Sequence, residues 1–117
     1  MKESILKTKS YDFALGIIKM TRELNENKRE FVLSKQALRS GTAIGALVRE
    51  AEFGQSLADF SSKLSIALKE ANETEYWLSL LKDSGYIGND AFIELDTQCV
   101  ELIRILVASV KTSRGVK

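Results

Sequence analysis

The chain has 117 residues, of which 44% are apolar and 28% charged, the composition of one soluble globular domain. Its 17 basic and 16 acidic residues leave a formal net charge of +1, so no overall charge attracts nucleic acid or acidic membranes. Histidine is absent and Cys99 is the single cysteine, which removes the commonest general base and any internal disulfide. No apolar run approaches the roughly 20 residues of a membrane span. We therefore expect a cytoplasmic protein that has no catalytic residue, metal or cofactor and does not enter a membrane.

The front of the chain predicts two helices. Apolar residues recur three or four positions apart, the spacing of one helical face, at Phe13, Ile17, Met20 and Leu24. This stripe predicts a first helix over about 4–24, and the polar run over 25–30 predicts the turn that follows. Ser34 is the expected N-cap of a second helix over about 34–52, since its hydroxyl can accept a hydrogen bond from a free backbone N–H.

The longest apolar stripe predicts a third helix over about 56–84, with Ser56 as its N-cap. The stripe has the alternating spacing of a seam between closely aligned helices, at Leu57, Phe60, Leu64, Ala67, Ala71, Thr74, Leu78 and Leu81. Gly85 is placed to end this helix in the left-handed conformation. Asn89 or Asp90 is the expected cap of a fourth helix over about 89–110.

Four amphipathic helices with short links predict an all-α, up-down-up-down four-helix bundle that forms one domain over 1–117. The fourth helix carries more apolar residues than one core stripe requires. These additional residues, which predict an oligomer, are Ile93, Val100, Ile103, Ile105 and Val107.

The stretch LRSGTAIGALVREA, residues 38–51, has the small residues of a phosphate-binding loop. A P-loop needs a longer glycine spacing followed by lysine, and a dinucleotide site needs a preceding strand, so neither motif is complete. Gly41 and Gly45 are four residues apart and therefore share one helical face. Because glycine weakens a helix, we interpret both as allowing close approach of a neighbouring helix, near Trp77 or another bulky side chain.

Glu70 and Glu73 are three residues apart on the third helix, which is compatible with acid–base chemistry or a di-metal site. Such bundle sites use histidine beside the carboxylates, and this chain has none. The alternative is structural ion pairing with Arg39 or Arg49 of the second helix, because the planar guanidinium matches a carboxylate. Two further ion pairs are predicted, Glu50 with Lys63 and Asp59 with Lys63.

The run over 13–81 resembles the small helical proteins encoded in intervening sequences of bacterial 23S ribosomal RNA genes. The segments that carry the resemblance are FALGIIKMTRELNENKREF, VLSKQALRSGTAIGALVREA and QSLADFSSKLSIALKEANETEYWLSLL. The resemblance implies a four-helix bundle that assembles into homopentamers and supplies no catalytic residue. The chain also resembles the accessory proteins of diversity-generating retroelements, which contact a reverse transcriptase and nucleic acid. The positions that match the family's motif are Arg39, Ser40, Gly41, Gly45, Glu50, Asp59, Lys63, Glu70, Glu73 and Trp77.

Basic residues gather at one end of the predicted bundle, because the first helix begins where the fourth ends. This basic end comprises Lys2, Lys7, Lys9, Lys111, Arg114 and Lys117, opposed in the sequence only by Glu3. Clustered cations can contact phosphates without overall basicity, and the alternative is a pair of solvated tails. We expect a non-enzymatic, self-assembling bundle that associates with ribosomal or other RNA through this end. The alternative function is an adaptor whose ring binds a separately encoded partner, such as a nucleic-acid-binding protein.

Overall fold

A computed structural model describes the backbone of residues 2–115 and the side chains of residues 5–115. The chain forms four helices: α1 (Lys2–Asn27), α2 (Leu33–Glu52), α3 (Leu57–Asp83) and α4 (Asn89–Ser113). Each helix packs against the next in sequence, and α4 closes the arrangement against α1. The predicted up-down-up-down four-helix bundle is therefore confirmed, and no strand occurs in residues 2–115. None of the helices in this part of the chain has the length and apolar content needed to cross a membrane.

The α1–α2 connection differs from its prediction. The polar run over 25–30 does not begin the turn, because α1 continues to Asn27. Ser34 is also not the N-cap of α2: it is buried inside the first turn, where its hydroxyl donates to the carbonyl oxygen of Glu30 at 3.0 Å. Position 32 precedes the helix and contributes no side-chain cap.

Glu30 caps α2 instead. Its buried carboxylate accepts hydrogen bonds from the backbone N–H groups of Val32 at 3.0 Å, Leu33 at 2.8 Å and Ser34 at 2.8 Å. Burial alone would raise the pKa of the Glu30 carboxyl, but these N–H donors favour its charged form and hold the pKa below the ordinary value. A single carboxylate thus satisfies three of the N–H groups that a helix start leaves without a partner.

The ends of α3 follow the predictions, whereas the start of α4 does not. The Ser56 hydroxyl accepts from the backbone N–H of Asp59 at 3.0 Å, as an N-cap does. Gly85 has a φ of 87°, and the N–H of Tyr86 donates to the carbonyl of Leu81 at 2.9 Å, which closes the helix end. Neither of the two predicted caps serves α4, because the extended backbone of Gly88 occupies the N-cap position.

The apolar stripes meet along the axis of the bundle. The largest fully buried side chains include Phe13, Ile17, Ile44, Leu64, Leu78, Leu81, Leu102 and Leu106. The predicted seam of α3 is buried from Leu64 onward. Its first two members are not: Phe60 is half-buried and Leu57 is 65% exposed, since the first turn of α3 lies at the end of the bundle.

The glycines of α2 lie in a helix, and they face α1. A Cβ atom added to Gly41 would lie 3.0 Å from Cγ1 and 3.1 Å from Cγ2 of Ile17. At Gly45 an added Cβ would lie 3.4 Å from Oγ of Ser10, an ordinary van der Waals contact. Close packing is therefore confirmed at Gly41, where the bulky neighbour is Ile17 of α1 and not Trp77 of α3, whereas Gly45 leaves room for a methyl group.

We predict that Gly41→Leu destabilises the protein by about 1–3 kcal/mol or more, because Ile17 occupies the space that the new side chain requires. The matched substitution Gly45→Ala should leave stability unchanged or raise it by about 0.5–1 kcal/mol, since alanine favours a helix and the space is available. Urea unfolding of both variants measures the difference. If Gly41→Leu unfolds together with the wild type, α1 does not pack against this glycine.

Candidate functional site

The family-motif residues of α2 and α3 form a cluster on one side of the bundle. The arginine cluster consists of Arg39, Glu70, Glu73 and Trp77. Nη1 of Arg39 donates to Glu70 at 3.2 Å, and Nη2 of the same guanidinium pairs with Glu73. The indole N–H of Trp77 donates to the same carboxylate oxygen of Glu73 at 3.0 Å. Arg39 thus joins two carboxylates that would otherwise repel each other.

Two hydroxyls beneath the arginine cluster join the same helices. The Thr74 hydroxyl donates to the carbonyl oxygen of Glu70 at 2.7 Å and shares a hydrogen bond with the Ser40 hydroxyl at 2.8 Å. Both hydroxyl side chains are completely buried, where an unpaired hydroxyl would be costly. The contact therefore fixes α2 and α3 at one rotation relative to each other.

These contacts decide between the interpretations of Glu70 and Glu73. Both carboxylates pair with Arg39, as the ion-pair interpretation expects, whereas Arg49 lies 5.8 Å from the ring centroid of Tyr11. Within the described residues, no three His, Cys, Asp or Glu side chains come together in a group that could hold a metal ion. The cluster has the chemistry of a helix–helix contact.

The two predicted pairs of Lys63 have different outcomes. Nζ of Lys63 lies 3.3 Å from Glu50, so this interhelical pair forms. The predicted pair with Asp59 does not form within 4 Å in the described part of the chain. Asp59 instead turns to the start of its helix, where its carboxylate accepts from the backbone N–H of Gln55 at 3.3 Å.

At the basic end, the lysines are paired more than the sequence suggested. Lys7 lies 3.0 Å from Glu52, and Lys9 lies 3.2 Å from Glu101. The expectation that only Glu3 opposes these cations is therefore wrong, because folding brings the end of α2 and the middle of α4 beside α1.

The remaining cations of the basic end differ in their surroundings. Arg114 donates to the hydroxyls of Ser61 at 3.3 Å and Ser65 at 3.0 Å. Lys111 is exposed, and among residues 5–115 no carboxylate lies within 4 Å of its ammonium group. The Lys2 side chain and the whole of Lys117 lie outside the described residues. The basic end thus contains Lys111 and Arg114 without an acidic partner in the described structure.

An acidic pair that the sequence analysis missed lies between α3 and α4. Oδ1 of Asp96 is buried and has no hydrogen-bond partner in the described structure, whereas the Asp96 carboxyl group as a whole interacts with the carboxyl group of Glu75 on α3. Burial, a hydrogen bond with Asp96 and its negative charge together raise the pKa of Glu75. No described lysine or arginine lies within 4 Å of either carboxyl group; Lys82, on the same helix, lies 4.9 Å from the ring of Phe92.

Cys99 is a core residue, as predicted. Its thiol is buried and donates to the carbonyl oxygen of Ala71 at 3.2 Å. Burial, and then the charges of Glu75 and Asp96, raise the pKa of the Cys99 thiol to about 12. Burial and the raised pKa favour the thiol form, as expected of a core cysteine.

The additional apolar residues of α4 are covered more than expected. Ile103 and Ile105 pack against the core, and the two valines at 100 and 107 are half-buried. Ile93 is the exposed member of the set. Surface for assembly is thus not concentrated on α4.

Comparison with known proteins gives a matching family and a similar solved structure. Residues 2–108 match the sequence model of the family described as 23S rRNA-intervening sequence protein. The chain is also similar to a crystal structure from Bacteroides thetaiotaomicron, a protein with unknown function from the S23 ribosomal protein family. The two share 49% identity with a TM-score of 0.93, over 95% of this chain and 99% of the other. No curated protein matches the chain. The relation to retroelement accessory proteins stays a prediction.

The acidic pair predicts how stability depends on pH. A carboxyl whose pKa is raised on folding contributes stability that is fully present below its unfolded value of 4.5 and is lost as pH rises through the folded value. We therefore expect Glu75→Gln, which keeps a hydrogen-bonding side chain without the charge, to be more stable than the wild type at neutral pH. The two proteins should approach each other in stability below pH 4.5.

Urea unfolding at pH values between about 4 and about 8 measures this difference. Glu94→Gln, at an exposed position of α4, is the control for loss of one negative charge. Parallel stability curves for the wild type and Glu75→Gln would show that the two carboxyl groups do not interact.

Proposed function

This chain belongs to the family of 23S rRNA-intervening sequence proteins, and from that premise we propose that it is a non-enzymatic, self-assembling bundle that contacts RNA. The single observation that carries the proposal is the use of the family-motif residues. Arg39, Glu70, Glu73 and Trp77 bind one another across α2 and α3, which supports a role of these residues in helix packing. The function of the protein would then be carried by the exposed side chains of the bundle.

Self-assembly is supported by apolar side chains on the outer faces of the helices. Tyr11 and Leu15 of α1, Ile66 and Tyr76 of α3, and Ile93 of α4 are all exposed. Exposed apolar side chains that a partner copy gathers into one contiguous patch commonly mark an interface between proteins. We propose a homopentamer, the assembly that the family resemblance implies.

Assembly into a ring would bring the basic ends of several copies together, which supports RNA contact. In a closed ring with one rotation axis, equivalent ends of the copies lie on the same face. Lys111 and Arg114 would then recur once per copy around that face. Lys7 and Lys9 take part in exposed ion pairs, which contribute little to stability and which phosphates can replace.

An adaptor function is the second candidate, because the basic end also exposes apolar side chains. Phe53 is 81% exposed at the end of α2, and Leu57 is exposed at the start of α3. These side chains would suit a partner protein better than a phosphate backbone. The ring would then hold a separately encoded protein at the same face.

We predict that the protein in solution has a mass five times that of its 13.1 kDa chain. Light scattering after size-exclusion chromatography at micromolar concentration measures the mass. Ile93→Lys should lower the assembled fraction by placing a charge in the interface, whereas Glu94→Lys at the neighbouring exposed position serves as the control. A 13.1 kDa mass for the wild type would contradict self-assembly.

We further predict that RNA binding weakens with salt and depends on the basic end. Lys111→Glu combined with Arg114→Gln should lower the salt slope on single strands by about 0.7 for each lost phosphate contact. Lys69→Glu, at an exposed position in the middle of α3, is the matched control for added negative charge. Fluorescence anisotropy over a salt series gives the slope. If the wild type binds no RNA at low salt, the adaptor function is favoured.

A further inference from the structure

The end of the bundle opposite the basic end carries cations that are not paired with carboxylates in the described structure. We name it the turn end; it consists of the α1–α2 loop, residues 28–32, and the α3–α4 loop, residues 84–88. Lys28 and Arg29 are exposed in the first loop, and Lys19 is exposed on α1 about two turns before it. None of these three has a carboxylate within 4 Å among the described residues, whereas Lys7 and Lys9 at the basic end are both paired.

The α1–α2 loop is held in one conformation. Besides capping α2, Glu30 accepts at its carbonyl oxygen from the side-chain amide of Asn25 at 2.7 Å, and its N–H donates to the carbonyl of Leu24 at 3.0 Å. Arg29, immediately before it, has a φ of 54°, in the left-handed region that side chains other than glycine seldom adopt. Arg29 lies two residues after the last residue of α1, where a left-handed residue commonly ends a helix, as Gly85 does after α3.

This fixed loop displays apolar and cationic groups together. The side chains of Phe31 and Val32 are 52% and 73% exposed, although Glu30, which precedes them, is almost completely buried. The guanidinium carbon of Arg29 lies 5.8 Å from the centroid of the Phe31 ring. The loop therefore presents an aromatic ring that carries the guanidinium of Arg29 over one face and leaves the other face for a ligand, with the exposed cation Lys28 close in sequence.

A groove between α1 and α4 opens at the same end. Its volume is about 350 Å³, and apolar residues that line it include Met20, Leu24 and Leu95. Lys19, Lys28 and Tyr86 also line it, together with the carboxylates of Glu23 and Glu94, so a base and not a phosphate suits its interior. This volume lies within the range of sites for small organic groups, roughly 300–1,000 Å³.

We propose that the turn end binds single-stranded RNA. One base stacks on Phe31 and a neighbouring base enters the groove beside Tyr86, while Lys19, Lys28 and Arg29 contact the phosphates. Stacking on aromatic rings combined with cations along the backbone is how proteins hold unpaired nucleotides. A duplex does not fit this surface, because its bases are already stacked on one another. The inference rests on the proposed RNA contact and adds a second site together with the kind of strand that it takes.

The test compares two labelled RNAs, an oligouridine and a duplex with the same number of nucleotides, by fluorescence anisotropy. Phe31→Ala and Tyr86→Ala should each weaken oligouridine binding about 5- to 150-fold, the effect of losing one base–aromatic stack, and leave duplex binding unchanged. Leu38→Ala removes an exposed apolar side chain of α2 outside both ends of the bundle and should change neither affinity.

A second variant tests the cations without disturbing the loop. Arg29→Asn removes the charge but keeps a residue that tolerates the left-handed conformation. Combined with Lys28→Gln, it should reduce the salt slope on oligouridine by about 0.7 for each phosphate contact. The fluorescence of Trp77, the single tryptophan, reports whether each variant keeps its fold.

The outcomes separate this inference from the proposed function. If the aromatic variants bind oligouridine as the wild type does, and only the changes at Lys111 and Arg114 weaken binding, the turn-end site is wrong and RNA contact at the basic end stands. If the wild type prefers the duplex, the single-strand inference is also wrong. A wild type that binds neither RNA contradicts both.

Discussion

The close approach of α2 to both of its neighbours is the constraint on which the rest of the structure depends. On one side, Gly41 leaves room for the side chain of Ile17, so α1 lies closer than any larger residue would permit. On the other side, the buried Ser40–Thr74 hydrogen bond joins α2 to α3 at a fixed rotation. Arg39, adjacent to both contacts in sequence, is thereby placed beside the carboxylates of α3. The short run of small residues is therefore the centre of the fold and not a ligand loop.

Carboxylates at three places show how the surroundings of one chemical group decide its role. Backbone N–H groups around Glu30 favour its charged form and lower its pKa, so this carboxylate builds a helix start and the loop before it. Glu70 and Glu73 share a guanidinium and stabilise a helix pair. Glu75 faces Asp96 without a basic partner within 4 Å in the described structure, so the pKa of Glu75 is raised. The stability of the contact between α3 and α4 therefore depends on pH. At the described contact between α2 and α3, the carboxylates of Glu70 and Glu73 have Arg39 as a basic partner.

The features that depend on the local spacing of apolar residues, above all the four helices, were predicted correctly from the sequence. Apolar spacing located all four helices, and the match between guanidinium and carboxylate groups predicted that Arg39 or Arg49 would pair with the carboxylates of α3, as Arg39 does. The prediction of the helix cap failed because a side chain several residues away makes the decisive hydrogen bonds. Ser34 has the chemistry of a cap, but Glu30 reaches forward over the helix start and takes that role.

Contacts between distant elements account for the other differences. Glu52 and Glu101 meet lysines of α1 only after the helices pack, so the sequence overstated the free charge of the basic end. The pairing of Glu75 with Asp96 depends on the relative rotation of α3 and α4, which neither helix specifies alone. Only the position of Asp96 one turn before the core residue Cys99 hinted that it would lie near the interior.

A double-mutant cycle between Ile17→Ala and Gly41→Ala measures whether Gly41 serves the close packing of α2 against α1. The change in helix propensity at position 41 occurs in both backgrounds, so it cancels from the coupling energy. Because removal of the Ile17 side chain makes room for the added methyl group, the double variant should lose less stability than the sum of the single variants. The predicted coupling, measured by urea unfolding, is about 0.5–3 kcal/mol. Additive losses would show that Gly41 and Ile17 do not share this space and would contradict the account.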